Sequence, residues 1–577
     1  MSTPIVGIDL GTTNSVVSIL QDKHPQTIPV DGEKLLPSVV SLTDEGFIVG
    51  RVAKNMAILE PERTVSSIKR KMGQNIELSL GGRKMRPEEV SALILKKLRQ
   101  AALEHLKLGD GAALRAVITV PAYFTEEQRG ATKQAAELAN LQVERIINEP
   151  TSAALAFGMS QLQSATYAVY DFGGGTFDVS VIESNGGLVE VLSTTGDNQL
   201  GGDDLDQLLA GWLWERFLKK NNLAGIQRSR KEDARLLRIA EQTKIKLSVE
   251  KEVGVQEGFF LKHKDVNYHL EQSVSRDDFE NLIRQKVQQT VTHVRSAVED
   301  ARLEISTLDG ILLVGGSSRI PLISAMIEQQ LGVAPVLIDL PDEAVSHGAT
   351  IQGAIIDKVD VDTVLVDITP HSLGIGSLDD QSFDTFYLAK TKKDRLDLHA
   401  AAIVPKNTPV PVKRTKTFYS SVDFQKKYHI RVFQGEKPRF HDNKTIGETH
   451  LEVGSPVEEG SIDVTFELDL DGLLKVTAVE TTTRENVKAE FKSSRGIRTQ
   501  KSQLEEALLV SGESANAALL KRAEALFGKG SLAKDDQKDL QALLDRYRRQ
   551  LAMSETEEAH ASESELLDML YYLEEGA

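Results

Sequence analysis

VYDFGGGTFD, residues 169–178, is the stretch on which the reading of this chain turns. Residues 166–171, TYAVYD, read as a strand ending at Asp171, and residues 177–182, FDVSVI, read as the strand that returns. Between them stand Gly173, Gly174, Gly175 and Thr176. Glycine weakens a strand, so three in a row at a strand end serve something other than sheet stability. Lacking a Cβ, they tolerate positive φ and let main-chain N–H groups converge at close range, which is how backbone binds phosphate oxygens. A tight corner with no ligand would carry the same residues.

The plan occurs a second time. Residues 5–20, IVGIDLGTTNSVVSIL, again give an apolar strand, an aspartate, a Gly/Thr turn and an apolar strand. With Asp9 aligned on Asp171, Gly11 falls on Gly173, Val17 on Val179 and Ser18 on Ser180. A repeat of this kind predicts two related lobes, each offering a phosphate-cradling hairpin to one shared cleft. Asp9 and Asp171 end the two strands, where carboxylates can hold Mg²⁺ through its retained waters, and Thr12, Thr13 and Thr176 add hydroxyls.

Around this pair, 577 residues are enough for three or four folded units. The chain is 40% hydrophobic and 27% charged, an ordinary globular balance. A net charge of −17 argues against a broad grip on nucleic acid and against anionic membranes. There is no cysteine, which excludes disulfides and thiolate chemistry and suits a reducing cytosol. No run approaches the ~20 apolar residues of a membrane span, so a cytoplasmic protein is expected, and a monomer.

Further motifs follow: VPAYFTEEQR, INEPTSAALAFG, LGGDDLD, LLVGGSSRIP and LPDEAV. With IDLGTTNS and DFGGGTFDVS they occur in the order and at about the spacing of one family, and from about residue 4 to near residue 495 the chain resembles the DnaK-type, seventy-kilodalton heat-shock chaperones. The resemblance implies an α/β actin-like (ribonuclease H-like) two-lobed ATPase over residues 1–361, an apolar linker over 362–368, a β-sandwich substrate-binding domain over 369–496 and a shortened helical lid over 497–577. The short lid and the compact segment between Gly73 and Val120 look most like bacterial paralogues of the HscC type.

Residue by residue, the resemblance implies ATP or ADP with Mg²⁺, and K⁺ as well. Lys69 in SSIKRKMG matches the lysine that orients the attacking water, with Glu149 and Asp178 completing the polar shell alongside Asp9, Asp171 and Thr176. On residues alone, Lys69 in the basic run with Arg70 and Lys71 reads equally as a solvated face. Phosphate contacts are implied for Gly11, Thr12, Thr13, Asn14, Gly173, Gly174, Gly175, Gly201 and Gly202. Adenosine contacts are implied for Glu241, Lys244, Ser248, Gly315, Gly316, Ser317, Arg319 and Asp342, with Arg319 stacked on the base. Ile245 stands where some members have arginine.

Pro121 and Arg129 match the family's coupling switch, and Thr125 with Gln128 has capping-box spacing for the helix that follows. Arg145, Asn148 and Thr151 match positions that receive a J-domain co-chaperone; a nucleotide exchange factor is the other implied partner. In DTVLVDI, residues 362–368, Asp367 occupies the sensitive acidic position of a linker that docks on the ATPase with ATP bound. Past residue 369 the pattern alternates, as in SIDVTFELDL, then Asp471-Gly472 as a hairpin turn, then LLKVTAVE. The resemblance makes this region a binder of extended, unfolded polypeptide. Ile375 and Ile430 keep apolar pocket positions; Tyr428 replaces a small aliphatic residue and Ser421 an alanine, so the pocket is expected to be partly filled. The polar stretch between Gly374 and Pro409 is some twenty residues longer than the family's and reads as an extended loop.

The expected function is an ATP-driven chaperone whose hydrolysis controls peptide affinity. An ATP-gated holdase or exchange-factor-like binder without a peptide cycle stays open, as does a small-molecule kinase on the same ATPase fold.

Overall fold

The computed structural model describes residues 4–158, 164–264, 266–359, 364–378, 398–490, 509, 512–528, 532–553 and 556–576. The two glycine hairpins are related as the repeat requires. Ile5–Asp9 pairs antiparallel with Asn14–Gln21, setting Ile8 opposite Val17. Ser164–Phe172 pairs with Phe177–Asn185, setting Tyr170 opposite Val179, the same register one repeat later. Each outgoing strand has a parallel neighbour on its other side, Leu114–Val120 in the first sheet and Gly310–Val314 in the second. The β-branched residues of these strands suit a sheet buried on both faces.

Each sheet has its own core. Val6, Ile8, Leu93, Leu98 and Phe124 belong to the first lobe, and Tyr170, Phe172, Phe177, Trp214 and Phe279 to the second. A third cluster joins them, with Ile5, Val117 and Ile147 from the first sheet packed with Val169, Ile182 and Leu312 from the second. Because side chains alternate between faces, a one-residue slip in either hairpin would empty these contacts, so burial fixes the register. The helix Glu126–Leu138 starts at Thr125, whose hydroxyl accepts from the Gln128 amide while the Gln128 side chain accepts from the Thr125 amide, as the capping-box spacing predicts.

The segment Val364–Ile368 is a strand. It lies parallel to Leu188–Asp197 at the edge of the second lobe and pairs on its far end with Pro409–Val410. Residues 362 and 363 of the expected linker lie outside the described residues. Beyond it stand two four-stranded antiparallel sheets. Their inner faces share one core: Leu373, Ile375, Ile430 and Val432 from one sheet, Val464, Phe466 and Val476 from the other. Among the described residues three helices follow, Gly512–Gly528, Lys534–Met553 and Thr556–Gly576.

Two expectations need correction and one is met by a longer turn. The hairpin glycines do not use positive φ: among the glycines expected at the nucleotide cleft only Gly315, at +78°, does so. The Asp471-Gly472 pair does turn a hairpin, as expected, within a connection of residues 469–473, since the strands end at Leu468 and resume, antiparallel, at Leu474. Asp471 is drawn away by the first lobe. The long segment between Gly374 and Pro409 is not all loop: His399–Val404 is a strand paired with Leu373–Ser377, and residues 379–397 lie outside the described residues.

Candidate functional site

Between the lobes lies a cavity of about 340 Å³. Asp9, Gly11, Thr12, Thr13 and Asn14 line it from the first hairpin, and Asp171, Gly173, Gly174 and Thr176 from the second. Lys69, Glu149, Glu241, Lys244, Ser248, Gly315, Gly316, Ser317, Arg319 and Asp342 complete the polar lining. Four residues expected there stand just behind it: Gly175, Gly201, Gly202 and Asp178. Leu35, Ile320, Pro341 and Val345, together with Ile245, add an apolar wall that motif reading missed. Isolated aliphatic residues in four separate segments leave no local signal. A larger cavity of about 610 Å³, bounded by Lys97, Arg51 and Asn516, has no glycine turn and lies where the first lobe meets the helix Gly512–Gly528.

The glycines are required by the approach of one hairpin to the other. A Cβ on Gly174 would sit 1.7 Å from Thr13 Oγ1, and one on Gly175 would sit 2.3 Å from Thr12 Cγ2. A Cβ on Gly201 would strike the Gly174 carbonyl at 2.4 Å. Gly173 alone of these has ordinary room, with its nearest neighbour at 3.7 Å, while a Cβ on Gly316 would press on Asp342 Oδ1 at 3.3 Å. The second turn is further tied by Gly202 N–H to Gly173 O at 3.0 Å, Asp203 N–H to Gly174 O at 2.7 Å and Ser317 Oγ to Gly173 O at 2.9 Å. The cradle is therefore rigid.

Its electrostatics are lopsided. Glu149, Asp171 and Asp178 are buried, and Asp9 half-buried, around one buried cation, Lys69, which donates to Glu149. Burial pulls the Lys69 ammonium down, but Glu149 and then Asp9 outweigh it and hold it charged. Burial raises Asp9, with Lys69 opposing and Thr119 donating to it at 3.0 Å. Asp171 is pushed up to about 8 by burial, then by Asp178 and Asp9. Asp178 is pushed up to about 7, mainly by burial, although it accepts from the Tyr123 amide at 2.9 Å. Its other oxygen and the Thr13 hydroxyl are buried without a hydrogen-bond partner. Excess acid with unpaired donors and acceptors fits a cation bridging to an anion. Among the described residues no three acidic or histidine side chains converge closely enough to hold a metal unaided, which suits a magnesium that keeps its waters and leans on phosphate.

On the far wall, Lys244 pairs with Asp206 at 2.7 Å, Arg319 with Asp342 at 2.6 Å, and Glu241 with Lys54 of the first lobe at 2.7 Å. Arg319 is half exposed and Ile245 stands 61% exposed at the mouth.

A second polar assembly lies where the linker strand meets the first lobe. Asn148 Nδ2 donates to both Asp367 oxygens at 2.8 Å, and its own Oδ1 accepts from Arg129, which also reaches the Ala122 carbonyl just past Pro121. Lys133 donates to Asp471 at 2.7 Å while the Ile146 amide donates to the other Asp471 oxygen at 3.0 Å. Glu126 accepts from the Leu474 amide at 3.0 Å, and Lys444 pairs with Glu127 at 2.6 Å. Burial raises Glu126 to about 8 and lowers His371, packed on Tyr123, to about 4. Asn148 and Thr151 are buried here, which corrects the expectation of a partner-facing pair: Asn148 spends its amide on the linker, and of that trio only Arg145 reaches the surface.

In the sheets beyond, Ile375, Tyr428 and Ile430 are all buried in the shared core. The Tyr428 hydroxyl comes so close to Gly460 that a Cβ there would sit 2.7 Å away. Ser421, in the loop before that strand, bonds to Gln425, and the same loop exposes Val422 and Phe424.

Comparison with known proteins gives a single picture. A family model described as Hsp70 protein matches residues 5–571. The chaperone protein DnaK of Thermotoga neapolitana is 41% identical over 485 residues, covering 82% of this chain and 78% of that one. The chaperone protein DnaK of Halobacterium salinarum is 40% identical over 484 residues, covering 83% of this chain and 73% of that one.

Proposed function

The chain belongs to the Hsp70 family, and we propose that it is an ATPase chaperone in which the nucleotide held between the lobes sets the grip of the far sheets on unfolded polypeptide. The observation that carries this reading is the linker strand, hydrogen-bonded into the second lobe along one edge and clasped through Asp367 by Asn148 and Arg129 of the first.

In the cleft, the two turns cradle phosphates with main-chain N–H groups of the 11–14 and 173–176 segments. Asp9 and Asp171 would hold a magnesium ion, which when bound would supply neutralisation of the charge that develops on the transferred phosphoryl group. Lys69, held charged by Glu149, orients the attacking water and offsets negative charge at the terminal phosphate. Asp178, raised towards neutral pH, is suited to take up the proton that water loses, and Thr176 positions that water. K⁺ is a further candidate beside these acids. The ribose and base lie between Glu241, Lys244 and Ser248 on one side and Gly315–Arg319 on the other, with Arg319 released from Asp342 to cover the ring.

We read the paired four-stranded sheets as the peptide-binding sandwich and the three last helices as a short lid. A J-domain co-chaperone approaches near Arg145, and an exchange factor opens the lobes. Tyr428 favours one alternative, an ATP-gated binder whose filled pocket holds partners without cycling on extended peptides. Fluorescence anisotropy of an extended apolar peptide separates the two: binding with ADP that is released by ATP supports the cycle, and binding indifferent to nucleotide refutes it.

A further inference from the structure

The geometry points to a bipartite docking site, half on each ATPase lobe, whose occupant is the chain's own last helix, Thr556–Gly576, and which clamps the nucleotide cleft shut. The first half of that helix sits on the first lobe. Glu563, wholly buried, accepts from Asn55 Nδ2 at 2.8 Å and from Arg51, both on the helix Arg51–Leu59. The second half sits on the second lobe. Asp568 accepts from Arg238 Nη2 at 2.8 Å, the Arg235 guanidinium lies 4.1 Å over the Tyr571 ring, and the Tyr572 ring lies 4.0 Å from that of Phe259.

Eight residues separate Glu563 from Tyr571, a rise of about 12 Å along a helix, so one rigid rod pins both lobes over that span. The lobe surface it meets is shaped for it. Arg235 is 1% exposed and, with Arg238, grips Glu257, so the pair forms a fixed cationic platform that an acidic, aromatic helix face matches.

The helix Arg230–Leu247 connects this platform to the nucleotide. It turns Arg235 and Arg238 to the clamp and, one to three turns further on, Glu241 and Lys244 to the cavity. Its Glu241 is also paired across the cleft with Lys54. Swinging that helix away from the first lobe, which opens the cleft, breaks the Asp568, Tyr571 and Tyr572 contacts and not those of Glu563, because Asp568 is 42% exposed whereas Glu563 is buried. Nucleotide release therefore waits on departure of the last helix from one lobe, and the chain regulates its own exchange. This rests on the ATPase reading of the cleft.

The chain has no cysteine, so Phe259→Cys with Tyr572→Cys supplies the only two thiols for a reducible bifunctional methanethiosulfonate. Release of fluorescent mant-ATPγS, chased with unlabelled ATP in a stopped-flow instrument, should slow by about tenfold on cross-linking and recover with dithiothreitol. The variant Asp568→Asn/Tyr572→Ala should release about tenfold faster than the parent. A release rate untouched by the cross-link, or a double variant that releases at the parent rate, overturns the clamp while leaving the nucleotide reading intact. Failure of every form, the parent included, to bind mant-ATPγS overturns the nucleotide reading itself.

Discussion

The cleft and the seam where the linker meets the first lobe are both buried polar assemblies, yet their charges are balanced differently. In the cleft, four carboxyl groups, three of them buried and Asp9 half-buried, crowd around the single buried lysine, Lys69. At the seam each strong acid has its own donor: Asp367 has Asn148 and the Ile368 amide, Asp471 has Lys133 and the Ile146 amide, and Glu127 has Lys444. An assembly with excess charge is completed only by a ligand, whereas a balanced one is complete in itself and can serve as a latch. The difference separates the part that reads the nucleotide from the part that transmits the reading.

Removing the one cation from the unbalanced side should have the largest effect. Lys69→Ala is expected to lower single-turnover hydrolysis by about 10²-fold or more, with ATP still bound, because it removes charge aimed at the reacting phosphate. Unchanged turnover would take Lys69 out of the chemistry. Breaking the balanced side should leave hydrolysis and cost coupling. Asn148→Ala strands Asp367 and Arg129 in a buried setting, at about 1.5–3 kcal/mol for a lost hydrogen bond to a charged group. Stimulation of hydrolysis by peptide should then disappear, and normal stimulation would count against the latch.

Glu126 is the seam's exception, since its second oxygen is buried without a partner. Its carboxyl rises from 4.5 to about 8 on burial. A raised acid favours the docked form fully below its undocked value and withdraws that support as pH climbs through the docked one. Docking should therefore weaken from about pH 4.5 to 8 on this account, and Glu126→Gln should flatten the profile over that range. His371, depressed to about 4 from 6.5 by burial, acts in the opposite sense: its contribution is full above 6.5 and fades as pH falls towards 4. A titration of linker docking that is identical in parent and Glu126→Gln protein would remove Glu126 from the pH response. The smallest effect belongs to the helix start behind it. Thr125→Ala should cost about 1 kcal/mol by loss of the cap, read as a shifted urea midpoint with hydrolysis unaltered.

Legibility in the sequence follows the same division. The cleft was visible because each of its parts is a short local pattern: the repeat predicted the Ile8–Val17 and Tyr170–Val179 register, and the cap spacing predicted a helix start. What the glycines are for was misread, since the demand comes from the opposite hairpin and not from φ. The seam was barely visible, because Asn148 and Asp367 lie 219 positions apart and Lys133 and Asp471 lie 338 apart. Asp471 looked like turn punctuation because, without the first lobe, that is all an Asp-Gly pair suggests. Tyr428 was seen as an oddity, but its burial beneath Gly460 depends on a strand far along the chain.

The central claim is that the linker strand is docked or free according to the nucleotide. Hydrogen–deuterium exchange of the Val364–Ile368 amides measures it directly: the account predicts protection with ATP and rapid exchange with ADP. Equal protection in both states would contradict it.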